Sequence, residues 1–165
     1  MTALRRFRPE DAAATREVFV EAVYKGCASR YTEEERRAWV PDPAAPGDWG
    51  PWLDEHVTLV AEEGGRITGF MMVERDGYLN MAFVRPECMG TGVADKLYAA
   101  LLEETREMGL TRLTVLASRY AQSFFARHGW RHAPEILEIG GHDLRTWPKD
   151  NPLSRAMVLD RGQIA

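Results

Sequence analysis

Between Phe83 and Met108 the chain passes from a β-like run through a glycine turn into an amphipathic helix, and this passage restricts the fold more than any other stretch. The run ends at Val84, Gly90 and Gly92 mark the turn, and Val93, Leu97, Leu101 and Met108 then recur at helical spacing. Asp95, Lys96, Glu103, Glu104 and Glu107 take the other side, and Gly109 is a natural stop. A strand that turns through glycines into a helix gathers unpaired backbone N–H groups at the positive end of a helix dipole, which suits a phosphate. Glycine serves there because a Cβ would hold an anion off the backbone and would disfavour positive φ. Taken alone, the stretch predicts an anion site or a plain tight turn, and not yet an enzyme. It has neither the Gly-Lys-Ser/Thr of a P-loop nor the three-glycine dinucleotide fingerprint.

Upstream, Leu4–Arg8 reads as a strand, and Pro9, Glu10 and Asp11 suit the first turn of a helix that Gly26 closes. Ala14, Val18, Phe19, Ala22 and Val23 make its apolar face. Thr32 and Glu35 form a capping box for a short helix to Trp39, ended before Pro41. After a proline-rich loop over 42–47, Asp48 is placed to cap a turn carrying Trp49, Trp52 and Leu53. Strands follow over 57–61, 67–73 and 78–84, joined by Glu63-Gly64-Gly65 and Asp76-Gly77, both hairpin signals. Beyond the long helix come a strand over 112–117, a helix over 119–128 ended by Gly129, and an extended run over 130–139 broken at Pro134. An irregular stretch to Pro152 and a strand over 155–159 close the sheet. This is mixed α/β, mostly antiparallel, with one βαβ crossover.

The 165 residues predict a single domain over 1–165 with a substantial core. A net charge of −4 argues against nucleic acid, whose phosphates need clustered cations. No apolar run can span a bilayer and Met1–Arg6 holds no signal core, so no membrane partner is expected. Cys27 and Cys88 form no disulfide framework, which predicts a reducing, cytoplasmic setting. Cys88 beside the glycine turn is a candidate for a lowered thiol pKa, against the alternative of a buried inert thiol. His128 and His132 straddle the helix-breaking Gly129, so no metal is expected.

The run Met89-Gly90-Thr91-Gly92-Val93-Ala94 resembles the pyrophosphate loop of the GNAT acetyltransferase superfamily, with Gly92 as its key glycine and Ala94 as its small final residue. Met89 stands where Gln or Arg is usual, which removes a side-chain contact and leaves the backbone cradle. A second stretch, Ser118 to Trp130, resembles the family's later motif. There Ser118 takes an Asn position, Ala121 matches, Phe124-Phe125 replaces Phe-Tyr, and Gly129-Trp130 replaces Gly-Phe. Both stretches occur in the family's order, and the likeness covers nearly the whole chain.

The resemblance implies the acyl-CoA N-acyltransferase fold and acetyl transfer from acetyl-CoA to an amine of a small molecule or protein, with no metal. The pantetheine arm would enter between the strands flanking the long helix, with backbone N–H near Phe83 or Val84 at the thioester. Gly90, Thr91, Gly92, Val93 and Ala94 would hold the pyrophosphate, and Ser118, Tyr120, Ser123, Phe124 and Phe125 would line the opposite side. Asn80 occupies a position where a related branch carries Asp, and an amide is no base. Phe125 occupies that of the tyrosine that protonates the leaving thiolate. Tyr120 is then the candidate donor, and Glu74 or His56 the candidate acceptor of a proton through water, each against a plain structural role. Tyr31, Trp39 and Trp52 are candidates for the acceptor wall, against the alternative of core packing. The losses at Asn80 and Phe125 also leave open a non-catalytic acetyl-CoA-binding domain, and nothing here decides on a homodimer.

Overall fold

The computed structural model describes residues 1–148, 151 and 153–161. Seven strands form one twisted sheet in the order β1 (Ala3–Arg6), β2 (Val57–Glu63), β3 (Arg66–Val73), β4 (Tyr78–Val84), β5 (Arg112–Ser118), β9 (Leu153–Asp160), β6 (Arg131–His132). Every neighbouring pair is antiparallel except β4 and β5, which are joined by the crossover helix α4 (Val93–Glu107). Gly64 and Gly65, at φ +59° and +78°, make the tight turn between β2 and β3 that the sequence predicts.

Two apolar layers sandwich the sheet. On one face α4 lays Val93, Leu97, Tyr98 and Leu101 over Leu59, Met71 and Val115. Trp130 joins this layer, its indole N–H donating to the Tyr98 hydroxyl at 2.7 Å. The helix takes Tyr98 and Thr105 into its buried face and leaves Met108 partly exposed at its end. On the other face α1 (Ala12–Glu21) and α3 (Trp49–Glu55) pack Val18, Phe19, Trp49 and Leu53 on Val60, Phe70 and Met72. Thr15 is buried on α1 beside the partly buried Ala14, and its hydroxyl accepts the Trp49 indole N–H at 3.2 Å.

Several boundaries differ from the sequence reading, each for a local reason. The first helix opens with a 3-10 turn at Pro9–Asp11 and closes with a π turn over Ala22–Gly26. Asp48 provides no side-chain cap, and α3 is entered through a turn from Pro46 to Trp49. The capping box at Thr32 and Glu35 does form, at the start of α2 (Glu33–Trp39). Helix α5 covers only Gln122–Arg127, because the Ser118 hydroxyl and carbonyl both accept the Ala121 N–H and fold the preceding residues into a turn. The extended run after Trp130 is two short strands, β6 and β7 (Glu138–Ile139). The stretch after it contains β8 (His142–Asp143), which pairs with β7. Pro152 lies outside the described residues. Gly140 between β7 and β8 lies on the Tyr78 ring, where a Cβ would come within 2.3 Å.

Candidate functional site

The parallel seam between β4 and β5 is short. Tyr78 pairs with Thr114 and Leu79 with Val115, and no further pair forms. At the same point the β3–β4 register slips: Met72 faces Met81 and Val73 faces Leu79, so Asn80 is an extra residue in β4. Such a bulge bends its strand and increases local twist. The two strands therefore part at Asn80, and a groove opens between Ala82–Val84 and Ser118–Phe125.

The backbone of β4 has an orientation there that the ladder fixes. Arg85 donates its N–H to Thr68 O at 2.8 Å, so Arg85 and Thr68 are a hydrogen-bonded pair. Antiparallel pairing alternates, so Phe83 bonds to Phe70, while Val84 and Ala82 turn their N–H and C=O groups away from β3 into the groove. Of the two residues anticipated at this point, Val84 presents a backbone donor to the groove, and Phe83, its ring against Phe19 at 4.7 Å, lines the apolar cavity. Gly69 permits the close packing behind: a Cβ there would meet Val84 Cγ1 at 2.9 Å, Phe83 O at 3.0 Å and Leu97 Cδ1 at 3.1 Å.

A 3-10 turn at Pro86–Cys88 leads β4 into the glycine loop. Gly90 and Gly92 have φ of +76° and +91°, and a Cβ on either would meet no protein atom within 4 Å. The space above them is open, and the first N–H groups of α4, at Val93, Ala94 and Asp95, precede the first intrahelical donor, Lys96, which bonds Gly92 O. This matches the needs of an anion. The Val93 side chain itself is buried in the core, so that residue can contribute only its N–H. Thr91 is exposed on the loop and donates its hydroxyl to Cys88 O at 2.5 Å.

The groove comprises an apolar cavity of ≈ 130 Å³ and a more open one of ≈ 460 Å³ over the glycine loop, sharing Val84, Met89, Ala94, Tyr120 and Phe124. Ser118 and Phe125 line the apolar part, and Ser123 the open part. The Tyr120 hydroxyl reaches across to Met89 Sδ at 3.6 Å and marks the join. Phe125 is buried and packs on Trp130 at 4.9 Å.

The other anticipated residues divide. Trp39 lines the apolar cavity and meets Phe83 edge-on. Tyr31 lies behind Trp39, 3 % exposed, with its hydroxyl accepting the Arg119 N–H at 2.6 Å, and so braces the Ser118–Arg119 turn. Trp52 packs on Trp49 and His56, away from both cavities, and the His56 ring is bonded to Trp52 O. Neither Asn80 nor Glu74 lines the cavities; they meet each other at the bulge, the Asn80 amide donating to Glu74 Oε2 at 2.7 Å. Burial, with Glu87 adding to it, pushes the Cys88 thiol up, which favours the inert thiol over the lowered pKa. Among the described residues no group of three or more His, Cys, Asp or Glu could hold a metal ion, and no helix is long and apolar enough to cross a membrane.

Cys27, Arg30 and Arg127 are among the groove residues that the sequence did not point to. Cys27 is buried, and its thiol is pushed up by desolvation. Arg127 is paired with Asp95 at 3.0 Å, and the same carboxylate holds His128 at 2.9 Å. Only the fold brings these positions to the loop.

A sequence model described as "Acetyltransferase (GNAT) domain" matches residues 13–143, which include both walls of this groove. The chain belongs to the GNAT acetyltransferase family. It is an acyltransferase with the GNAT fold, as the two motifs led one to expect. An uncharacterized N-acetyltransferase, YafP of Escherichia coli K12, is 29 % identical over 128 residues, 78 % of this chain and 80 % of that protein. A GCN5-related N-acetyltransferase structure from Rhodopseudomonas palustris aligns with a TM-score of 0.78 and 28 % identity, covering 97 % of this chain and 96 % of that one. The acetyltransferase yncA of Salmonella typhimurium, solved with acetyl-CoA, shares the fold at TM-score 0.68 and 17 % identity, covering 100 % of this chain and 96 % of its own.

Proposed function

We propose that this protein transfers the acetyl group of acetyl-CoA to an amine acceptor that reaches the groove from the side walled by Trp39. The observation that carries the proposal is one continuous groove with two unlike ends. Open glycine backbone at a helix N-terminus forms one end, and the inward-turned N–H of Val84 lies in an apolar slot at the other. The yncA structure holds acetyl-CoA in the same fold.

The residues fit that co-substrate. Gly90 to Ala94 would hold the diphosphate, and Val84, Phe124 and Ser118 would flank the arm. Acetyl-CoA, when bound, supplies a thioester carbonyl already reactive toward amines. The Val84 N–H is the donor that would stabilise negative charge on that carbonyl oxygen. The Tyr120 hydroxyl, at the join of the two cavities, would hand a proton to the departing sulfur, because Phe125 has none to give. An alkylamine has a reference pKa of about 10.4 and must lose a proton before it can attack. Glu74, held by the Asn80 amide, is the carboxylate that would take this proton through water. A purely acetyl-CoA-binding role is disfavoured by membership of an acyltransferase family.

Thermal unfolding with acetyl-CoA, and with NADH and ATP as controls, tests the reading. A ligand at about a hundred times its Kd stabilises by about 2.7 kcal/mol, which raises Tm by several degrees in a domain of this size. A shift with acetyl-CoA alone is expected, followed by release of free thiol when amines are screened. No shift, or a shift with NADH or ATP instead, overturns the proposal.

A further inference from the structure

Position 89 leaves the anion loop without the cationic or amide side chain usual there, and Asp95 neutralises Arg127 on the opposite rim. One other cation lies in the open cavity. Arg30 lines it together with Gly90, Gly92 and Ser123, although it belongs to the turn after the first helix. Its guanidinium is exposed, stands 5.2 Å from the centroid of the Tyr120 ring, and forms no ion pair among the described residues.

The chain is built to bring Arg30 there. Gly26 ends the π turn against the loop, where a Cβ would come within 3.2 Å of Met89 Sδ. The Cys27 carbonyl then accepts N–H groups from both Arg30 at 3.1 Å and Tyr31 at 3.0 Å, which holds the turn closed. Met89 is thus the apolar seat on which this turn rests, and the charge comes from the opposite wall.

We infer that Arg30 is a diphosphate-binding residue that supplies, from the α1–α2 connection, the contact absent at Met89. This rests on the acetyl-CoA reading of the groove. A guanidinium with no carboxylate partner among the described residues, held over a ring at the rim of an open backbone cradle, can turn its N–H fork onto phosphate oxygens. The bound diphosphate would then be held between the α4 N-terminus and Arg30, with the arm passing under Tyr120.

Isothermal calorimetry of the whole chain with CoA, dephospho-CoA (which lacks the ribose phosphate) and pantetheine (which lacks all phosphates) tests this. The Arg30→Gln variant is expected to bind CoA and dephospho-CoA about tenfold more weakly, the scale of one charge-assisted hydrogen bond, and pantetheine unchanged. Arg30→Lys should recover part of the loss. An equal loss for pantetheine would mean that Arg30 acts through the packing of Tyr120, and a loss confined to CoA would move the contact to the ribose phosphate. Either result, or no loss at all, overturns the assignment while leaving the groove intact. Failure of the wild-type protein to bind CoA overturns the acetyl-CoA reading itself, and Arg30 with it.

Discussion

The Asn80 amide donates to Glu74 Oε2 at 2.7 Å, so the carboxylate beside the β4 bulge is held by a neutral donor at the point where β4 leaves β5. Asn80→Asp places two carboxylates at that distance, and the pair must retain a proton above the ordinary carboxylate range. As pH rises through the pair's upper apparent pKa, the second carboxylate ionises and the pair becomes a stronger base than Glu74 beside an amide. The variant's kcat/KM for acetyl transfer is expected to climb over that range and to exceed wild type by roughly 10–100-fold. Its Tm should fall over the same range, because ionising the second carboxylate sets like charges together. A pH–rate profile identical to wild type would show that the bulge does not serve the acceptor amine.

The glycine loop makes a separate prediction. Gly92 has φ +91° with open space beyond it, so Gly92→Glu meets backbone strain of about 1–2 kcal/mol and no steric block. Its carboxylate would lie where the diphosphate is proposed to bind. CoA affinity measured by calorimetry should fall by at least about 100-fold, with Tm lowered by only about 5 °C. Retained affinity would remove the loop from the binding site.

Much of this arrangement was legible in the sequence because it is local. Hydrophobic period and turn chemistry placed β2 to β4, the Gly64-Gly65 turn and α4, and the two glycines located the loop that opens α4. What was illegible depends on local side-chain-to-backbone bonds that periodicity does not show and on contacts between distant segments. The shortening of α5 comes from the turn over Ser118–Ala121, in which the Ser118 carbonyl and hydroxyl both accept the Ala121 N–H. The seam that parts at Asn80 requires a register slip that no single strand encodes. Tyr31 reads equally as wall or core until Arg119 is found on its hydroxyl. Arg30 enters the groove only because Gly26 lets its turn rest on Met89.

Gly69 lies behind the groove and is expected to tolerate no side chain. In Gly69→Ala the new Cβ meets Phe83 O, a backbone atom that cannot yield by rotation, as well as Val84 and Leu97. Overpacking of this kind destabilises by about 1–3 kcal/mol. The urea midpoint should fall accordingly with an unchanged slope, and CoA affinity should fall too, because relief requires Val84 or α4 to move. An unchanged midpoint would show that the β3–β4–α4 contact is loose.

Arg5 grips Asp11 with two parallel hydrogen bonds, at 2.7 and 2.9 Å, and the Arg8 N–H adds a third at 2.8 Å. This pins the entry of the first helix, and so the wall that carries Trp39 and Arg30, to β1. The Arg5 bonds are the largest cause holding the buried Asp11 carboxyl below its ordinary value of 3.8, with the Arg8 N–H adding to them against desolvation. A depressed folded-state pKa stabilises above the unfolded value, and that stability is lost as pH falls through the folded value. Asp11→Asn should therefore lower stability by about 2 kcal/mol at neutral pH, reduced from a fully buried pair because Arg5 is partly exposed. The gap between variant and wild type should narrow once pH falls below about 3.8 and close when Asp11 is protonated in the folded state. Urea unfolding of both proteins from neutral to strongly acid pH measures that gap directly. A gap that stays constant would mean that Asp11 acts through the shape of its turn rather than through its charge.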